Sequence, residues 1–205
     1  MRNAYALLGL LFLIVLGGAY LLIKRAESPE SQNQEVTRFN ERTLMNLTLS
    51  SPAFADNTLM PSTFTCDGRG TSPELHIEGV PKETKSLVLL MYDPDIPDEI
   101  KTSRNIAQFN HWVLYNIPGD THVVPEAGSV GVSGLNGTGK EGYYRACPPT
   151  QYEPSEHRYI FELYALRDDL VFTKTPTLEE VQEAIRDMII EKTTLTGKYE
   201  RIKDL

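Results

Sequence analysis

Apolar positions fall along this chain in three different rhythms. The first is a single uninterrupted run, Ala4 to Ile23, which contains no charge over 20 residues. The second is a set of short runs. Ser86 to Tyr92 (Ser-Leu-Val-Leu-Leu-Met-Tyr) is nearly continuous, as expected of a strand buried on both faces, whereas His111 to Ile117 and Tyr159 to Leu166 alternate more. Proline and glycine clusters separate these runs: Asp93 to Pro97, Pro118-Gly119-Asp120, and the stretch from Gly128 to Gly142. The third rhythm is helical. Pro176 precedes Thr177-Leu-Glu-Glu180, a capping box, and Leu178, Val181, Ile185, Met188 and Ile189 then recur at helical spacing. Gly197 closes that region, and Tyr199 to Ile202 is expected to return as a strand. Many short strands with turns between them predict a mainly β fold, a two-sheet antiparallel β-sandwich with peripheral helices, rather than a βαβ fold.

The run Ala4 to Ile23 has the length of a helix that crosses a bilayer, roughly 20 residues. An N-terminal transmembrane helix is therefore expected to precede the sandwich. Arg2 lies before it and Lys24-Arg25 after it, so the flanking charges do not settle its orientation. A cleaved signal peptide is the alternative, with Gly17-Gly18-Ala19 as small residues near a cleavage point. The expected organisation is a transmembrane anchor or signal peptide over 1–25, a flexible polar linker over 26–46, and one globular domain over 47–205. Such a chain would be membrane-anchored by a single span with its domain outside the cytoplasm, or secreted after cleavage.

Charge narrows the partners. The 205 residues carry a formal net charge of −8. Beyond residue 26 there are 17 basic against 28 acidic side chains, a difference of −11. That balance argues against nucleic acid, whose binding relies on Lys and Arg at phosphates. It also argues against broad adhesion to anionic lipid. Cys66 and Cys147 are the only cysteines. They are either a disulfide, which an exported domain permits, or two separate buried thiols.

Several motifs lead nowhere. Gly134-Leu-Asn-Gly-Thr-Gly139-Lys140 matches a phosphate-binding loop until Glu141 replaces the hydroxyl that would hold magnesium, and no helix start follows. No Gly-x-Ser-x-Gly elbow occurs. The histidines at 76, 111, 122 and 157 lack metal-ligand spacing, so no metal or cofactor is expected. What remains are two segments: Asp93-Pro94-Asp95-Ile96-Pro97 with Asn110-His111-Trp112, and Cys147-Pro148-Pro149 with His157-Arg158-Tyr159. Each sets ionisable groups beside a strand. Carboxylates next to imidazoles orient their donors and favour their protonated form, so a pocket for a phosphate and an amine is expected where the segments meet.

These segments resemble the phosphatidylethanolamine-binding protein (PEBP) family, in its bacterial and archaeal Raf kinase inhibitor-like branch. The likeness covers about Leu47 to Ile202. It rests on Ser51-Pro-Ala-Phe54, Phe64-Thr-Cys-Asp-Gly68 with Ser72-Pro73, Gly79-Val-Pro81, Asp93 to Pro97, His111 to Pro118, Gly142-Tyr143, Cys147 to Pro149, His157 to Phe161 and Leu163 to Leu166. It implies a PEBP-like β-sandwich whose small anion pocket takes phosphate or a phosphoethanolamine head group. Matched position by position, the pocket residues are Asp93, Asp95, His111, Pro149, His157 and Tyr159, with Trp112 supporting the wall. His111 and His157 would donate to the anion, the two Asp would orient them, and Tyr159 would add a hydroxyl. The chain departs from the family in having Arg145-Ala146 before Cys147 and a long Thr150 to Glu156 loop that contains Glu153 and Glu156.

The expectation is a binding or regulatory module for a small anionic ligand or phospholipid head group, with a protein kinase or protease as partner, rather than an enzyme. The alternatives are an enzyme that uses the Asp/His cluster on a phosphate ester, and a scaffold that acts through its surface loops.

Overall fold

The computed structural model describes residues 46–201. Its centre is set by the most apolar stretch. Strand β4 (Ser86–Asp93) is buried at all but one of its positions and has a long partner on each side, β5 (Phe109–Pro118) and β8 (Glu156–Leu166). Beyond β8 lies β9 (Ile189–Glu200). The edges are short: β2 (Thr58–Leu59) beside β9, and β7 (Val132–Ser133) beside β5. This large sheet has the order β2-β9-β8-β4-β5-β7. A small sheet of three strands, β1 (Thr48–Ser50), β3 (Leu75–Glu78) and β6 (Val123–Val124), has the order β1-β3-β6.

Period-two alternation gives the large sheet two apolar faces. On one face Leu87, Leu89 and Met91 of β4, with Phe161 and Leu163 of β8, share a core with Leu49, Leu75, Ile77 and Val124 of the small sheet. On the other face Val88, Leu90, Val113 and Leu166 pack with Leu178, Val181 and Ile185 of α2 (Leu178–Ile185). That helix starts at the expected capping box: the Thr177 hydroxyl accepts from Glu180 N–H, and the Glu180 carboxylate accepts from Thr177 N–H. The other helix, α1 (Asp98–Arg104), buries no residue, so no apolar stripe announced it.

The expected fold class needs correction on three points. The sheets are not wholly antiparallel, because β2 runs parallel to β9. Among the described residues no helix is long and apolar enough to cross a membrane. The stretch 4–23, on which a transmembrane helix was expected, lies outside the described residues, as does nearly all of the expected linker. The third point concerns the C-terminal region. The helix stops at Ile185, and the chain from Ile189 is one long strand with Gly197 inside it. Gly197 is there because a Cβ would stand 2.4 Å from Met60 Cγ. Met188 and Ile189 extended the helical pattern by coincidence, while Thr193, Thr194 and Thr196 favour the strand.

Candidate functional site

Four polar side chains end up on the core-facing side of the large sheet, near one end. Asp93 continues the inward series Leu87, Leu89, Met91 on β4, and His157 and Tyr159 begin the inward series on β8. His111 reaches the same face through an irregularity. Met91 pairs with Trp112, but Tyr92 pairs with Asn110, so His111 is an extra residue in β5. Such a bulge re-aims a side chain that strict alternation would send the other way. Asp93, His111, His157 and Tyr159 are 3%, 4%, 0% and 0% exposed, so the cluster is closed off from bulk solvent.

The hydrogen bonds divide their roles. Asp93 Oδ1 accepts from Asp95 N–H at 2.8 Å, and Oδ2 accepts from His157 Nδ1–H at 2.7 Å. A carboxylate only accepts, so this contact puts the proton on Nδ1 and turns Nε2 inward. His157 Nε2 and the Tyr159 hydroxyl are both buried without a hydrogen-bond partner. Burial pushes the Tyr159 hydroxyl far above its ordinary pKa and the Asp93 charge adds to this, so it stays an O–H donor. His111 Nδ1 donates to the Tyr144 carbonyl at 2.7 Å. Its ring meets Tyr159 edge-on at 5.2 Å and Phe109 at 4.9 Å.

Some expected roles change. His111 was expected as a readily protonated donor. Burial instead pulls its pKa below the ordinary value, although the Tyr144 carbonyl and Asp93 pull the other way. Asp95 was expected to face the ligand beside Asp93. Its carboxylate is taken by Arg158, with bonds of 2.8 and 2.7 Å from the guanidinium and 2.9 Å from the Arg158 backbone N–H, and this contact holds its pKa low. Each oxygen of Asp93 likewise accepts one hydrogen bond within the fold. Pro149 is half-buried in the turn after the cysteines and makes no hydrogen bond or ring contact with the four among the described residues. Trp112 lies in the core with its ring edge-on to Tyr143 at 5.5 Å.

The segments around Cys66 and Cys147 are tied together. Cys66 and Cys147 form a disulfide, Cys66 N–H donates to the Ala146 carbonyl, and Asp67 binds Tyr199 and Arg201 of the β9 end. In the long loop Glu153 accepts from Ser155 N–H, and Glu156 lies 3.6 Å from Lys198. Arg145 is exposed and lays its stem against Gly70. Tyr144, Phe109 and Arg158 escaped the sequence reading. Arg158 stood inside a recognised motif, but the Tyr144 contact is a backbone carbonyl and leaves no trace in residue type.

The glycine-rich loop is not an anion cradle. The Asn136 side-chain oxygen accepts from Thr138 N–H at 2.9 Å and the Thr138 hydroxyl at 2.6 Å, so these donors are already taken. Among the described residues no group of three His, Cys, Asp or Glu side chains is placed to hold a metal ion.

Residues 50–200 match the family model described as phosphatidylethanolamine-binding protein. A relative from Methanothermobacter thermautotrophicus, named only as a UPF0098 protein, is 39% identical over 162 residues, covering 76% of this chain and 99% of its own. A UPF0098 protein of Chlamydia pneumoniae is 38% identical over 154 residues, covering 75% and 98%. Among solved structures, a Chlamydia trachomatis protein described as a PEBP homologue superposes with a TM-score of 0.70 at 36% identity, covering 77% of this chain and 99% of that one. Escherichia coli YbcL, described as a new member of the mammalian PEBP family, gives 0.66 at 25% identity, covering 77% and 99%. With its fold and the order of its motif segments, the chain belongs to the phosphatidylethanolamine-binding protein family.

Proposed function

We propose that this protein is a binding module that takes a phosphate group, free or as the phosphate of a phosphoethanolamine-like head group, at the Asp93–His157–Tyr159–His111 cluster. One observation carries the reading: His157 Nε2 and the Tyr159 hydroxyl lie buried on the same face of β8 with no partner. A buried polar group left unsatisfied costs about 1–3 kcal/mol, and a ligand oxygen that satisfies both recovers it. The Tyr159 O–H donates directly. His157 keeps its Nδ1 proton on Asp93, so Nε2 accepts from a P–OH of a protonated phosphate. The His111 ring, held by the Tyr144 carbonyl, lies edge-on to Tyr159 and completes the cluster.

The disulfide supports an oxidising, extracytoplasmic setting. Membership of a family of binding and regulatory proteins supports a regulatory role in which head-group occupancy is passed to a partner such as a kinase or protease. Calorimetry with inorganic phosphate and with phosphoethanolamine tests the ligand reading. Both should bind with similar affinity, and Tyr159→Phe should weaken both. No heat with either ligand at millimolar concentration would overturn it.

A further inference from the structure

A second cleft opens elsewhere, lined by Gly70, Thr71, Ser72, Trp112, Ala127, Gly128, Ser129, Ser133, Gly142 and Tyr143, with a volume of about 330 Å³. It includes none of the residues assigned to the phosphate. Its chemistry is also different. No carboxylate, ammonium, guanidinium or imidazole lines it, and the one titratable hydroxyl, that of Tyr143, already donates to the Phe64 carbonyl at 2.8 Å. What the cleft offers instead are uncommitted neutral groups. The Thr71 hydroxyl is buried without a partner. Ser72 is 3% exposed and Trp112 1% exposed, yet neither the serine hydroxyl nor the indole N–H is hydrogen-bonded to a described residue. Ser129 and Ser133 add two hydroxyls on the rim.

The backbone is shaped around the same space. Ala127 holds a positive φ of 56°, an uncommon conformation for a residue with a Cβ. Gly142 has φ 85°, and a Cβ there would meet nothing within 4 Å. The volume falls within the range of small-molecule sites.

We infer that this cleft is a second ligand site, for an uncharged polyol of glycerol to monosaccharide size. Hydroxyl groups both donate and accept, so they match serine and threonine hydroxyls in either sense, and a ligand hydroxyl oxygen accepts from the indole N–H. The absence of charge among the lining side chains disfavours anions and cations alike. Trp112 is 1% exposed and its ring meets Tyr143 edge-on at 5.5 Å, so little ring face is left for stacking. This inference is independent of the phosphate reading.

Trp112 is the only tryptophan of the chain, so one indole N–H signal in a 15N-labelled full-length sample reports the cleft directly. Glycerol and glucose are added separately, then inorganic phosphate. The expected result is a saturable displacement of that signal by glycerol, glucose or both, with phosphate moving it little. Which of the two binds more tightly tells a lipid-type glycerol from a sugar. Ser72→Ala should weaken binding about five- to tenfold, the worth of one hydrogen bond. Ser129→Phe, at the exposed rim, should block the cleft without entering the core, and His157→Ala should leave the titration unchanged. An unmoved indole signal overturns the inference, as does a displacement that persists in both serine variants. So does a displacement that follows phosphate and disappears with His157→Ala.

Discussion

The large sheet carries a polar cluster on each face, and the two differ in how far their hydrogen bonds are satisfied within the fold. On the helix-covered face Glu162 accepts from the Tyr92 hydroxyl at 3.1 Å, from the Tyr164 hydroxyl and from Lys192 Nζ, which also sits 5.2 Å over the Tyr164 ring. Burial and the nearby carboxylate push Tyr92 up to about 12 and Tyr164 higher still, so both remain donors. In that cluster each of these groups has its partner. On the face toward the small sheet, Asp93 is satisfied, but His157 Nε2 and the Tyr159 hydroxyl are not. Both clusters combine acidic, aromatic and basic side chains, with Lys192 of the first exposed and its Tyr92 half-buried. Hydrogen-bond satisfaction marks a polar group that holds the fold, and its lack at His157 and Tyr159 is what supports the proposed ligand site.

The largest effect should come from breaking the satisfied cluster. Glu162→Ala leaves the buried Tyr164 hydroxyl and the half-buried Tyr92 hydroxyl without this acceptor, so chemical denaturation should show a loss of about 2–3 kcal/mol. Phosphate affinity measured on the folded variant should be unchanged. A paired substitution sharpens the contrast. Tyr164→Phe should cost about 1 kcal/mol of stability and no affinity, since it deletes a bond the fold already makes. Tyr159→Phe should leave stability unchanged or raise it slightly, while affinity for phosphate falls about tenfold.

Acid should distinguish the clusters next. His111 has a folded pKa below its ordinary 6.5, so the unfolded chain binds its proton more readily. Its contribution is complete above the unfolded value and is lost as pH falls from about 6.5 toward the lowered folded pKa. Thermal melts across that window should show falling stability, flattened in His111→Gln. Added phosphate should reduce the loss, because a bound anion favours the protonated ring. The smallest change concerns Asp95, whose carboxylate faces a half-exposed Arg158. Asp95→Asn should cost about 1 kcal/mol or less. Its folded pKa is also low, so that contribution is present above the carboxylate range and lost only at strongly acid pH.

Much of this was legible in the residue pattern, and the failures have physical causes. The continuous run at 86–92 marked the central strand, and Thr177 to Glu180 marked the start of the helix because a capping box is local chemistry. Asp93, His111, His157 and Tyr159 could be paired by their segments because each lies in or at the end of a long strand. Pattern could not supply the bulge that turns His111 inward, which depends on the register against β4. Nor could it show that Arg158 takes up Asp95, since the two meet only when β8 aligns with the end of β4. The strand from Ile189 was hidden because Met188 and Ile189 fell on a helical period that the backbone does not follow. Nothing in the sequence pointed to the cleft at Thr71 and Ser72, whose hydroxyls become informative only once they are seen to lack partners.

The central claim is that the two unsatisfied atoms on β8 receive a phosphate oxygen. Imidazole NMR of the full-length protein during a titration with inorganic phosphate tests it most directly. The His157 Nε2 resonance should shift saturably, with Asp93 keeping its bond at Nδ1, and the same titration in Tyr159→Phe should need about tenfold more phosphate. A His157 signal that does not move, or that moves identically in Tyr159→Phe, would contradict the account.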